Sequence, residues 1–110
     1  MGPRLRIGAG SAIARIAGQP AGTTWRPLDG RGILIEAEAA GGPKLRARVI
    51  DRGGRFVATI NATPLGVLTV DGRAMGETPR AGVPLKHGRS TLVVRTPDGN
   101  ETRLVLELAN

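Results

Sequence analysis

Between Thr63 and Thr91 the chain reads TPLGVLTVDGRAMGETPRAGVPLKHGRST, and this stretch leaves no room for a helix. An alternating apolar run, Val67-Leu68-Thr69-Val70, ends in Asp71-Gly72, the strongest short-range signal for a tight turn between strands. Gly76, Thr78-Pro79, Pro84-Leu85 and Gly88 follow before the next β-branched and aliphatic run. Each Gly offers positive φ where the chain must reverse, and each Pro stops a helix. The same punctuation runs along the whole sequence: 17 Gly and 8 Pro, interleaved with β-branched runs at steady spacing. That distribution fits many short strands joined by tight turns better than disorder. The expected fold is all-β, an antiparallel β-sandwich of short strands.

A chain of 110 residues suits one ordinary domain or two very small ones. Apolar residues make up 40%, but Trp25 and Phe56 are the only aromatics, so the core must be built from Leu, Ile, Val and Ala. There is no Cys, which removes disulfides and thiolate chemistry and leaves the compartment open. No apolar run approaches the ~18 residues of a membrane span. Met-Gly-Pro-Arg is not followed by the apolar segment of a signal peptide. The chain reads as a piece of a longer protein or as a small soluble one, and Met1 need not be a native start.

Shifting the sequence by 54 residues exposes a repeat. Ile13-Ala14-Arg15-Ile16-Ala17-Gly18 falls on Val67-Leu68-Thr69-Val70-Asp71-Gly72, Gly22 on Gly76 and Thr24 on Thr78. With small insertions in the second copy, Pro27-Leu28 meets Pro84-Leu85 and Gly30-Arg31 meets Gly88-Arg89. Strands are expected at Arg4 to Ile7, Ala12 to Ile16, Gly32 to Ala39, Lys44 to Ile50, Arg55 to Asn61, Gly66 to Val70, Ser90 to Arg95 and Glu101 to Leu108. In these, Ile33, Ile35, Ala37, Leu45, Ala47, Val49, Leu104, Leu106 and Leu108 take the inward faces. Residues 1–52 and 55–110 then form two units, with the boundary at Asp51-Arg52-Gly53-Gly54. Each is marginal alone, so the two are expected to pack together or to share one sandwich.

The second unit carries a family pattern. Pro64-x-Gly66-Val67, a strand, Asp71-Gly72, Gly76, Thr78-Pro79, Leu85 and Gly88 resemble the PEGA domain over roughly residues 55 to 108. Leu65 stands where that pattern has Glu, and Val67 where it has Ala. Residues 1–52 look like a degenerate PEGA-like repeat, with Gly10 for Pro64, Ala17 for Asp71 and Trp25 where Pro79 would be. The resemblance implies a β-rich, non-enzymatic interaction or spacer module. Such modules are appended outside the membrane in bacterial and archaeal cell-envelope proteins and receptor-type kinases. It implies a protein or cell-surface glycan as partner and an extracytoplasmic place, with a cytoplasmic one still open. The matched positions (Gly66, Asp71, Gly72, Gly76, Thr78, Pro79 and Gly88) are turn formers, so no catalytic or binding residue carries over.

Chemistry-bearing residues are few. Gly8-Ala9-Gly10-Ser11-Ala12 imitates the opening of a dinucleotide-binding loop, but no helix can follow it to hold a pyrophosphate. His87 has no nucleophile or acid tied to it by a motif, and reads as a solvated turn residue. Asp71 and Glu77 could hold a cation, yet an Asp before Gly ordinarily bonds its own turn. Trp25 could stack on a sugar ring or plug the contact between the two units, and packing is preferred. No catalytic residue, cofactor or metal site is expected.

The net charge of +7 comes from 14 Arg and 2 Lys against 9 acids. Lys44, Arg46 and Arg48 project from one face of a strand, followed by Arg52 and Arg55, and this is the candidate anion-binding face. A polyanion-binding module, for nucleic acid or acidic glycan, is therefore the alternative function. Scarcity of aromatics counts against single-stranded nucleic acid, whose binders stack bases on aromatic rings.

Overall fold

The computed structural model of the chain describes residues 2–110 and contains twelve strands among them. The first six are β1 (Arg4–Ile7), β2 (Ile13–Ile16), β3 (Gln19–Pro20), β4 (Arg26–Pro27), β5 (Ile33–Glu38) and β6 (Lys44–Arg52). The other six are β7 (Arg55–Thr63), β8 (Val67–Val70), β9 (Arg73–Glu77), β10 (Arg80–Leu85), β11 (Gly88–Arg95) and β12 (Glu101–Ala109). They form two antiparallel six-stranded sheets. Sheet A has the order β4-β1-β12-β11-β8-β9, and sheet B the order β10-β7-β6-β5-β2-β3. This is the all-β sandwich expected from the sequence.

Alternation makes the strands and selects their faces. In β6, Leu45, Ala47 and Val49 are buried while Lys44, Arg46 and Arg48 are exposed. In β7, Phe56, Ala58, Ile60 and Ala62 point inward. Sheet A presents mostly leucines to the core, among them Leu5, Leu68, Leu92, Leu104, Leu106 and Leu108. Sheet B answers with several small residues, Ala37, Ala47, Ala58 and Ala62. Opposing large with small side chains lets two sheets fill their interface without voids, and β12 comes closest to β5 and β6, where Ala37 and Ala47 lie. A single apolar cluster spans both halves of the chain. The radius of gyration is 12.7 Å, close to the ~13 Å of one compact domain of this length.

The sheet orders are related by a simple rule. Replacing each strand of sheet A by its counterpart six places along the chain yields the order of sheet B. The first half places β2, β3, β5 and β6 in sheet B but sends β1 and β4 into sheet A. The second half places β8, β9, β11 and β12 in sheet A and sends β7 and β10 into sheet B. The halves are thus interlocked by exchange of their first and fourth strands. Pairing registers refine the repeat. Ile16 and Val70 hold equivalent places against Ile35 and Leu92, which keeps the shift of 54 for β2. Leu5, opposite Leu108, matches Phe56, opposite Asp51, which is a shift of 51.

Three local expectations are corrected. Gly53-Gly54, where the first half passes into the second, is no linker between separate units but a two-residue turn joining β6 to β7, whose ladder runs from Lys44↔Thr63 to Arg52↔Arg55. The stretch after Gly72 is not turn alone, since it holds β9 and β10. Likewise Gln19–Pro20 and Arg26–Pro27 are short strands. All four are edge strands, where the missing N–H of Pro20, Pro27 or Pro84 costs no ladder bond if it faces the open side.

Candidate functional site

The outer face of sheet B carries a row of cations along one strand and its hairpin partner. Strand β6 displays Lys44, Arg46, Arg48 and Arg52, and Arg55 stands opposite Arg52 across the turn. Alternate residues of a strand lie about 6.8 Å apart on one face. Across the sheet, Glu36 faces Arg46 and Glu38 faces Lys44 from β5. Glu36 Oε2 is 3.3 Å from Lys44 Nζ and 3.8 Å from Arg46 Nε. These are exposed ion pairs, each worth no more than about 1 kcal/mol. Their effect is to divide the five expected residues into two groups. Lys44 and Arg46 share an acid, whereas Arg48, Arg52 and Arg55 have no acidic partner among the described residues. Arg48 instead donates from Nη1 to the Arg31 carbonyl at 3.2 Å, which fixes its guanidinium.

On the β7 side of the same face the neighbours are uncharged. Thr59 lies opposite Arg48 and Asn61 opposite Arg46. Leu34 flanks Arg48 from β5, and with Arg46, Thr59 and Asn61 these line a shallow depression. The sequence reading passed over Thr59 and Asn61. The alternation of Arg55, Val57, Thr59 and Asn61 put them on one face, but only the β6–β7 hairpin shows which face.

Trp25 packs against side chains of β1. Half-buried, it lies on the outside of sheet A, with the guanidinium carbons of Arg4 and Arg6 4.8 and 4.4 Å from its ring centroid. Both distances are within cation–π range, and Arg6 is held in turn by Glu107 at 2.9 Å.

The remaining candidates have structural roles. His87, exposed between β10 and β11, tilts its ring on Phe56 with centroids 4.7 Å apart. Gly8 to Ala12 carries the chain from sheet A to sheet B across the outside of β12. Gly8 N–H donates to the Val105 carbonyl and Ala12 N–H to that of Arg103, both at 2.8 Å. Ser11 Oγ accepts from Val105 N–H at 2.8 Å and donates to the Gly8 carbonyl at 3.0 Å. This crossing buries Val105 on the side of β12 that alternation assigns to solvent.

The turn formers act as follows. Asp71 and Gly72 both take positive φ, 50° and 81°, as a two-residue hairpin requires. Asp71 does not bond its own turn as expected: its carboxylate accepts the Thr91 N–H at 2.9 Å and extends the β8–β11 ladder. Gly76 sits at the irregularity in β9, and Gly88 opens β11. Thr78 precedes Pro79 through a cis peptide and is buried. Its N–H donates to the Gly66 carbonyl at 2.8 Å, and its hydroxyl accepts the Gly66 N–H at 3.2 Å. Asp98, in the β11–β12 turn, has its carboxyl held below the usual carboxylate range, first by the Thr96 hydroxyl and then by the Asn100 N–H.

No group of three or more His, Asp and Glu able to hold a metal occurs among the described residues. Among the described residues no helix is long and apolar enough to cross a membrane. Comparison of the chain with protein-family models, curated proteins and solved structures finds no match.

Proposed function

We propose that this chain is a non-enzymatic interaction or spacer module, of the kind the PEGA resemblance implies for bacterial and archaeal envelope proteins and receptor-type kinases. It works outside the cytoplasmic membrane and contacts a protein or glycan through the outer face of sheet B. The observation that carries this reading is the division of labour on the surface. The motif residues of the second half serve the backbone, through the Gly66–Thr78 clasp and the Asp71–Gly72 hairpin. Sheet B meanwhile leaves a row of cations and uncharged donors facing outward. The test is co-sedimentation of the folded chain with purified envelope fragments and, in parallel, with random nucleic acid across a salt series. Envelope binding that survives high salt supports the module. Its absence at every salt concentration removes the contact function and leaves a spacer.

A second reading is a general polyanion-binding module. Arg48, Arg52 and Arg55, without acidic partners among the described residues, favour it. It calls for binding to nucleic acid and envelope alike, with the logarithm of affinity falling linearly with the logarithm of salt.

A further inference from the structure

We propose that the shallow depression between Arg46, Arg48, Thr59 and Asn61 is a subsite for a carboxylated sugar residue of an acidic glycan. The proposal rests on the reading of sheet B's outer face as the contact surface, and names the ligand chemistry of that surface.

Three kinds of group meet there in fixed register. Arg46 and Arg48 are consecutive outward residues of β6, and β7 places Asn61 and Thr59 directly beside them. A guanidinium is a planar fork suited to a carboxylate. That of Arg48 is already held by the Arg31 carbonyl, so less rotamer freedom is lost on binding. Asn61 Oδ1 accepts the Ala62 N–H at 2.9 Å, and its Nδ2 donors make no hydrogen bond among the described residues. The exposed Thr59 hydroxyl makes no hydrogen bond among the described residues. Amide and hydroxyl donors at this spacing match the hydroxyls of a sugar ring, and half-buried Leu34 offers an apolar strip to its C–H face.

None of the residues lining the depression is aromatic, so it offers a nucleobase no ring to stack on. Trp25 lies on sheet A beneath two arginines, and Phe56 is buried. Base stacking is a main source of affinity in single-strand binders, so an acidic glycan suits the site better than nucleic acid. Glu36, next to Arg46, is drawn to Lys44 and opposes a second carboxylate at that end. Arg48 is therefore the anchor.

The test is an NMR titration of the ¹⁵N-labelled full chain with trigalacturonate, a neutral galactose trisaccharide and oligo(dT), each at low and high salt. Shifts centred on Arg46, Arg48, Thr59 and Asn61 with trigalacturonate, and weaker ones with the neutral sugar, are expected. Arg48→Gln should weaken binding by about tenfold or more. Asn61→Ala, which changes no charge, should weaken it about fivefold, the equivalent of one hydrogen bond. Glu36→Gln should tighten it. If both Asn61→Ala and Thr59→Ala bind like the parent, charge alone is responsible and the subsite is overturned. Oligo(dT) binding as tightly as trigalacturonate overturns it in favour of nucleic acid. If trigalacturonate leaves the face unmoved while envelope fragments still perturb it, the sugar subsite falls and the contact face stands. If neither perturbs it, both fall.

Discussion

At the tip of the β2–β3 hairpin Ala17 is held at φ +52°, the counterpart of Asp71 at φ +50° in the β8–β9 hairpin. The left-handed region costs an ordinary L-residue about 1 kcal/mol or more, and Gly far less. Ala17→Gly should therefore raise the unfolding free energy by about 1 kcal/mol in a urea titration. The turn itself was legible from Gly18 and the repeat, but the strain was not. A sequence comparison records only that Ala replaces Asp, whereas the backbone angle shows that the turn type did not change with it. Asp98 gives a prediction in pH. Its folded pKa lies below the ordinary 3.8, so the carboxylate contributes stability above that value and loses it as pH falls through the lower folded pKa. Thermal melts between pH 5 and 2 should show Asp98→Asn with a shallower acid-side decline than the parent.

Among the elements, the interior strands were easy to read and the edges were not. Strands β5, β6, β7, β11 and β12 alternate over six to nine residues. Strands β9 and β10 contain Gly76, Gly82 and Pro84, which look like breakers to any reading based on propensity. They pair on one side only, and an edge tolerates what an interior strand cannot. The basic face was half legible for a similar reason. Alternation in β6 marked Lys44, Arg46 and Arg48, but the acid that pairs with two of them, Glu36, comes from β5, and a cross-strand register is not written in either strand alone. Where β8 begins, Gly66 packs against β11: a Cβ there would stand 2.6 Å from the Arg95 carbonyl oxygen and 2.8 Å from Val94 Cγ1. Gly66→Ala should destabilise by about 2 kcal/mol, as overpacking does, with the loss read from the midpoint of chemical denaturation.

For the whole molecule, the repeat was visible as a 54-residue shift, but the exchange of strands between halves was not. Alternation says which residues face inward and is silent on which half supplies the opposing sheet. The exchange makes the joints around the two-fold arrangement interchangeable. At one, the Gly53-Gly54 turn links β6 to β7; at the equivalent one, β12 and β1 are paired without a covalent link, with Arg4 opposite Ala109. A circular permutant opened at Gly53-Gly54 and closed by a short linker between Ala109 and Arg4 should fold with the same circular-dichroism spectrum and a single cooperative melt. Residues 55–110 alone lack β1 beside β12 and β6 beside β7. That fragment should show no cooperative monomeric transition, and a parent-like melting temperature would contradict the interlock.

The open seam also has a mechanical consequence. Arg4 and Ala109 are directly opposite each other on antiparallel neighbours, so tension applied between these two points peels the β1–β12 ladder one rung at a time instead of shearing all rungs together. As β1 comes away it takes with it the strand to which β4, an edge of sheet A, is paired, and Leu106 and Leu108 lose their cover from that side. Tension applied there should open sheet A before sheet B, in which β6 and β7 are joined by the Gly53-Gly54 turn.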